Sequence, residues 1–503
     1  MKYLSESSPI IGSNIAVIII LALLTVATIL ALVVALCRYA EKKDAKKKLW
    51  ILPTVLAVGF VIRLIFALCI RGYRPDYDMF TDMFDDLAAN GVYGYYKGSA
   101  TATLYPVTYF IYLIFGGLSN AMGLSGDMVG KQFLVKLPMM LADLAAAYCI
   151  YRLACKYFNA YVGYALAAFV CLCPIFFIGS ALWATPIVFT VTFILYACYF
   201  LARKKYAATI AFATAAAFSS KEGIYLFPVV VVFCVYHFVR AIINIRRDGP
   251  SGKTLLSSDY CAAFTVPAAF ILSVLGAYLI GLFMFAGYSY NIFIYIYEFL
   301  LEPLVDWSYF TYNGLSVYAL FGQNGAEPQA RFPAWVFVGI FLAIVLAVVC
   351  VVYFTKRNRA TMVMLASYVL VTLQIYYAGS SAIGMVSCLP VILAAYALVR
   401  DKRLLYVLFV MGLAFVINSS VALASAGYMN NLLDHELDAS ISTLMSDGFA
   451  AVPIVFSAFA FIAHLYYTYV AVSVGMSGQK RMLNEAHGIG DSLKELFSAK
   501  REG

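Results

Sequence analysis

The sequence predicts an all-α polytopic membrane protein. Three observations carry that class. Of 503 residues, 64% are hydrophobic and only 12% charged, with a mean hydropathy of +0.87. A soluble core cannot hide an apolar excess of that size, because soluble chains carry about 25% charged residues. The apolar residues fall in runs of roughly 20, the length that crosses about 30 Å of hydrocarbon as a helix. Finally, the basic residues gather at alternate ends of those runs. A cytosolic enzyme, a secreted domain and a nucleic-acid partner are excluded.

The elements follow from hydropathy and charge in order. The first run, Ile15 to Leu36, is followed by Arg38, Lys42, Lys43, Lys46, Lys47 and Lys48 rather than a small-residue cleavage site. It reads as a stop-transfer helix and not a signal peptide. Further basic clusters lie at Arg152/Lys156, Arg203–Lys205, Arg240–Lys253, Lys356–Arg359, Arg400–Arg403 and Lys480–Arg501. Together the seven clusters hold 26 of the 35 Lys and Arg, and most of the 26 acids lie outside them. The positive-inside rule puts the clusters in the cytoplasm. One topology accommodates all of them, with the N-terminus outside and the C-terminus inside.

That topology predicts about 13 transmembrane helices, near 13–37, 50–71, 136–155, 160–180, 184–202, 206–219, 224–246, 260–286, 334–355, 361–378, 380–399, 404–425 and 450–472. The apolar run Tyr105–Met122 could also span, but counting it would invert every later cluster, so it is expected to be interfacial or re-entrant. Exterior loops are expected at about 72–135, 287–333 and 426–449. The chain divides into an N-terminal helix and basic loop (1–49), a membrane module with exterior loops (50–333), C-terminal helices (334–474) and a polar cytoplasmic tail (475–503). All eleven cysteines lie in or beside apolar segments and read as small apolar residues, not as a disulfide framework or thiolate metal site. The four histidines lack zinc-ligand spacing.

The first exterior loop carries the candidate chemistry. It opens Gly72-Tyr73-Arg74-Pro75-Asp76-Tyr77-Asp78-Met79-Phe80-Thr81-Asp82, with Asp85 and Asp86 following. Acids suit the first turn of a helix, whose N-terminus is electropositive, and that accounts for Asp82, Asp85 and Asp86 without further function. Asp76 stands at the membrane boundary, where partial desolvation raises a carboxyl toward general-base use. Tyr93, Tyr95, Tyr96, Tyr105, Tyr109 and Tyr112 form either an interfacial aromatic belt or a stacking surface for sugar rings. The exterior cations are Arg71, Arg74, Lys97, Lys131, Lys136, Lys221 and Arg331, and a lipid-linked phosphate needs one or two of them. Lys221 could instead snorkel and pair with Glu222. Arg63 and Asp143, within apolar segments, are expected within a turn of an interface or helix end.

In order, these motifs resemble the GT-C superfamily of membrane glycosyltransferases, and most closely bacterial mannosyltransferase-like proteins related to the GPI second mannosyltransferase (PIG-V type). Asp76, Phe80 and Gly91 match the family's first-loop spacing, and Tyr105-Pro106-Val107-Thr108-Tyr109 occupies the place of a Tyr-Pro-Pro-Gly-Tyr segment. Lys136-Leu137-Pro138 with Asp143-Leu144, Ser180-Ala181-Leu182-Trp183, Lys221 with Phe227-Pro228, and Asn313-Gly314-Leu315 resemble its later motifs. The likeness covers about residues 60–330. Two departures stand out: Trp183-Ala184-Thr185 lacks the family's Gln, and Lys221-Glu222-Gly223 lacks its Pro and Gln.

The resemblance implies a GT-C-like helical bundle with amphipathic exterior helices, the 50–333 module being catalytic, at the extracytoplasmic face of a bacterial plasma membrane. It implies an inverting hexosyltransferase of the cell envelope, moving a sugar, mannose being favoured, from a polyprenyl-phosphate donor to a glycan, lipid or protein acceptor. Asp76 would be the base, with Asp78 beside it. Lys221, Arg74, Lys136 and Arg331 would hold the donor phosphate. Asp82, Tyr105, Tyr109, Trp183 and Asn313 would bind sugar or acceptor. Asp78 or Asp82 could also hold a divalent cation if the transfer requires one. Two other classes remain: a polytopic transporter or lipid-linked sugar flippase, and a lipid-linked polysaccharide polymerase or ligase of unrelated fold. A transporter should show mid-bilayer ionisable residues and two similar halves, and a polymerase an arginine-rich exterior loop where 287–333 holds only Arg331.

Overall fold

The computed structural model describes residues 8–42, 48–70, 72–90, 105–124, 129–248, 258–284, 310–326, 359–428, 451–477 and 480–481. Helices dominate: α1 Ser8–Tyr39, α2 Ile51–Cys69, α3 Arg74–Asn90, α4 Pro106–Ala121, α5 Val129–Tyr157, α6 Ala160–Leu172, α7 Pro174–Phe177 with a π turn Ile178–Trp183, α8 Ile187–Ala202, α9 Tyr206–Ala217, α10 Lys221–Asp248, α11 Ser258–Met284, α12 Val317–Leu320, α13 Arg359–Tyr376, α14 Leu389–Val399, α15 Lys402–Ala426 and α16 Ala451–Val472. Two-residue strands β1 Gly72–Tyr73, β2 Thr311–Tyr312, β3 Ser380–Ser381 and β4 Gly427–Tyr428 pair as β1–β4 antiparallel and β2–β3 parallel. Among the described residues, five helices are long and apolar enough to cross a membrane, six if α6 and α7 with its π turn count as one bent span. The protein is an all-α membrane protein. The expected segment 334–355 lies outside the described residues.

Contacts between helix ends sort the structure into two poles. At one pole the turn after α1 meets the turn before α6, where Asn159 Nδ2 donates to the carbonyls of Tyr39 (2.8 Å) and Lys42 (3.1 Å). Tyr164 donates to the Lys48 carbonyl at 2.7 Å. Tyr157 reaches Ala202 O, Arg400 lies 4.9 Å over the Phe158 ring, and Arg403 donates to Ser473. The Lys402 amide donates to Arg481 O at 3.0 Å, and Asp401 accepts the Arg481 amide. Five of the seven basic clusters therefore share this pole.

At the other pole the Val107 amide and Thr108 hydroxyl donate to the carbonyls of Phe218 (2.9 Å) and Ser219 (2.7 Å). Lys221 reaches Gly379, and β1 meets β4. Helix α4 begins beside Ser219 and is followed by Leu124 packed near Gly130, at the start of α5. Both ends of the Tyr105–Met122 segment thus lie at this pole.

Three expectations need correction. The stretch 160–180 is not one helix, because Pro174 lacks an N–H and the chain bends by 59° there. Helix α14 starts at Leu389, not near 380, the preceding residues forming β3 and a 3₁₀ turn Gly384–Ser387. Asp143 lies mid-helix in α5 rather than near a helix end, and it forms a buried ion pair at 3.2 Å with Arg63, less than two turns before the end of α2.

Candidate functional site

The site is organised by the break at Pro174. In an unbroken helix the residue 174 amide would serve the Val170 carbonyl, and proline cannot. The Arg63 guanidinium substitutes, with Nη2 donating to Val170 O (3.1 Å) and Nη1 to Cys171 O (2.8 Å) and Gly59 O (3.2 Å), while Nε donates to Asp143 Oδ2. Ser180 donates its hydroxyl to the same carboxylate oxygen. Inside hydrocarbon, irregular backbone persists only where such partners satisfy it. Lys136, fully buried on α5, donates to Ala181 O at 2.7 Å and to Ile70 O, joining the π turn to the end of α2.

This clamp sets Trp183. Its ring stacks on Tyr73 at 4.3 Å, and Tyr73 meets the Tyr312 ring edge-on at 6.4 Å. Such stacked pairs contribute about 0.5–1.5 kcal/mol beyond burial. Gly72 has φ +134°, and a β-carbon there would lie 3.1 Å from the Trp183 carbonyl, so the first loop leaves α2 only with glycine at this point. The loop then enters α3, which buries Tyr77, Phe80, Met83 and Phe84; Phe80 stacks on Tyr112 at 4.4 Å. Arg74, Asp76 and Asp78 are on the first turns of α3, their side chains outside the described residues. Asp85 accepts from the buried Lys131 at 2.6 Å. The exposed Asp82 carboxyl is raised above its ordinary value, chiefly by partial burial and then by Asp85 and Asp86, against the pull of Lys131.

A narrow cleft at the same pole, with room for about one water molecule, is lined by Lys221, Glu222 and Tyr225 of α10, by Leu373, Gln374 and Tyr377 at the end of and just after α13, and by Gly379, Ser380 and Ser381. Lys221 Nζ donates to Gly379 O at 2.9 Å. Glu222, 3% exposed, accepts the Ser220 hydroxyl at 2.6 Å, and Ser220 accepts from Thr190 at 2.8 Å. Helix α10 approaches α9 closely: a β-carbon on Gly223 would fall 2.0 Å from Ala216 O. The anchoring of Val107 and Thr108 brings Tyr105 against this group. Its hydroxyl is raised by burial first and then by the negative charge of Glu222 and by Tyr377, and it has no hydrogen-bond partner among the described residues.

Of the residues marked in the sequence, the structure brings Lys221 and Tyr105 to one cleft. Asn313 is next to it: the residue has φ +51°, bridges to Ser381, exchanges hydrogen bonds with Asn324, and receives Asn418 Nδ2 on its carbonyl at 2.7 Å. Trp183 and Tyr109 are buried in packing, and Lys136 is committed to two backbone carbonyls, so the charge expected at a donor phosphate instead holds the chain. Arg331 lies outside the described residues. The expected Lys221–Glu222 pair does not form, since adjacent residues on a helix diverge.

Sequence reading missed Glu222 as a cleft group, and Tyr225, Gln374, Tyr377, Ser380 and Ser381 altogether. The last four lie past residue 330, where the motif likeness ends, and no local signal marks them. Among the described residues no group of three or more His, Cys, Asp and Glu is placed to hold a metal ion. No protein-family model, curated protein or solved structure matches the chain.

Proposed function

We propose that this chain is an integral-membrane glycosyltransferase of GT-C type, moving a sugar, mannose being favoured, from a polyprenyl-phosphate carrier to an exterior glycan, lipid or protein acceptor. The observation that carries the reading is the cleft. It offers a lysine ammonium, a buried carboxylate and tyrosines at the pole opposite the shared basic clusters, the pole that also bears α3 and Asp76. With the basic pole cytoplasmic, the cleft faces outward, where nucleotide sugars are absent and a sugar arrives on a lipid. Five described helices, or six with the bent pair, are long and apolar enough to cross a membrane, and the alternating basic clusters of the sequence support thirteen passes.

In the mechanism, Asp76 takes the proton of the acceptor hydroxyl as that oxygen attacks the anomeric carbon, and the carrier phosphate departs with inversion. Lys221 neutralises the departing phosphate. Asp78 and Asp82 orient the acceptor. A divalent cation, if the reaction uses one, would fall to these carboxylates.

A transporter or flippase is the second reading. The feature that favours it is the buried Arg63–Asp143 pair. Its ligation by Ser180 and three backbone carbonyls is what a bent helix requires, which leaves transfer as the better account.

The test is a transfer assay in native-like membranes with labelled polyprenyl-phosphate mannose, then glucose and arabinose analogues. Wild type should move label to an acceptor, and Asp76→Asn should lose roughly 10²-fold or more. Equal rates would remove Asp76 from the mechanism, and no transfer from any donor would refute the reading.

A further inference from the structure

The ends of α5 and α8 meet at the basic pole, where Tyr157 donates to Ala202 O at 3.1 Å. That junction joins Arg152 and Lys156 of α5 to the turn Arg203-Lys204-Lys205. These five cations have no counter-charge close by in the chain, which carries no Asp or Glu from Leu144 to Lys221. Among the described residues no carboxylate pairs with any of them. Neutral groups hold them instead. Arg152 donates to the Tyr148 hydroxyl at 2.7 Å, Arg203 lies 4.8 Å over the Tyr199 ring, and Lys156 lies 5.2 Å over the Tyr157 ring. Tyr199 also interacts electrostatically with Arg152, so the two arginines share one tyrosine. A ring face positions a cation without cancelling its charge.

The turn between α8 and α9 keeps one of these cations under strain. The Lys205 amide donates to Phe200 O at 2.9 Å, and Lys204 has φ +65°. Glycine fills the left-handed position of such a helix ending freely, whereas a lysine there is strained. Arg203 and Lys205 already answer the negative end of the helix dipole, so the dipole does not call for a third base at 204. Beside this turn lies an aromatic surface. Tyr196 and Phe200 of α8 each stack on Phe212 of α9 at 5.3 Å, and all three rings are partly exposed. A free anion would meet the bases alone. A lipid would set its phosphate on the bases and its acyl chain on the rings, and unpaired bases at the ends of apolar helices attract anionic headgroups.

We propose that the junction of α5 and α8 binds an anionic phospholipid, its phosphate held by Arg152 and Arg203 with Lys204 beside them and its acyl chain lying on Tyr196, Phe200 and Phe212. The site lies at the pole opposite Asp76 and does not depend on the transfer reading.

The experiment uses the full chain in a neutral maltoside detergent, with lipid retention read by native mass spectrometry. The probes are dioleoyl phosphatidylglycerol and dioleoyl phosphatidylcholine, which share acyl chains and differ in headgroup charge, together with inorganic phosphate. Wild type should bind phosphatidylglycerol about 10-fold more tightly than phosphatidylcholine, and millimolar phosphate should not displace it. Arg152→Gln and Arg203→Gln should each weaken phosphatidylglycerol by about 5-fold and leave phosphatidylcholine unchanged. Lys204→Gly removes the charge in a backbone conformation that glycine takes without strain, so the fold is kept; it should weaken phosphatidylglycerol by about 5-fold with no fall in the unfolding midpoint in lipid-free detergent. Lys480→Gln, at an exposed base next to Arg481 on the same pole, should change neither lipid. Equal binding of the two lipids by wild type would leave no headgroup selection. Displacement by phosphate would make the junction a free-anion patch, and equal losses in Lys480→Gln and Arg152→Gln a diffuse charged surface. Each of these results overturns the proposal.

Discussion

Replacing Arg63 with Met keeps an unbranched apolar stem and removes every donor. Asp143 is then a buried charge holding only the Ser180 hydroxyl, and the Val170 and Cys171 carbonyls lose their partners at the proline break. Breaking a buried ion pair by deleting one partner costs about 3–5 kcal/mol. Asp143→Asn leaves the guanidinium charge uncompensated and should cost a similar amount. The double variant has no stranded charge but still has two bare carbonyls, at about 1–3 kcal/mol each. Its cost, about 4 kcal/mol, should therefore fall short of the roughly 8 kcal/mol sum of the singles by about 4 kcal/mol. The assay is reversible unfolding in mixed detergent–SDS micelles of all four proteins, giving the coupling energy from the cycle. Single costs below about 1 kcal/mol, or additivity within about 0.5 kcal/mol, would refute the role given to Arg63 at the bend.

Other outcomes follow from the same geometry. Gly223→Ala places a β-carbon 2.0 Å from the Ala216 carbonyl, so α10 must shift at its first turn. An overpacking cost of about 1–3 kcal/mol is expected in detergent–SDS unfolding, and wild-type stability would contradict the packing. Asp82 has a raised carboxyl, so the folded state favours its protonated form; its contribution is full below the unfolded value of 3.8 and is lost as pH rises through the raised folded value. Asp82→Asn should flatten the pH dependence of the unfolding midpoint over that window, and parallel profiles for the two proteins would contradict it.

Hydropathy and charge are local properties, and they settled the class. An apolar run of given length makes a helix wherever it lies, and basic residues mark one pole without reference to their neighbours. Twelve of the thirteen segments expected to be helical coincide with described helices or helix pairs, and five of these helices, or six with the bent pair, are long and apolar enough to cross a membrane. Helix breaks at Pro174 and before Leu389 escaped because a hydropathy window averages across them.

The candidate site was legible only in part. Lys221 and Tyr105 stood out as an exterior cation and an aromatic beside it in motif order, but their meeting depends on Val107 and Thr108 docking on the turn before α10. Lys136 and Asp143 carried motif weight, yet the fold sets them on backbone carbonyls and on Arg63. Glu222 looked like half of a surface pair; it is buried because α10 presses on α9 at Gly223. Gln374, Ser380 and Ser381 join the cleft across more than 150 residues of chain. The sequence by itself determined how many apolar segments there are and which ends are basic, because those follow from solvent transfer of each segment alone. Only the tertiary structure decided which polar groups face one another, because a buried group is defined by partners that the chain brings from elsewhere.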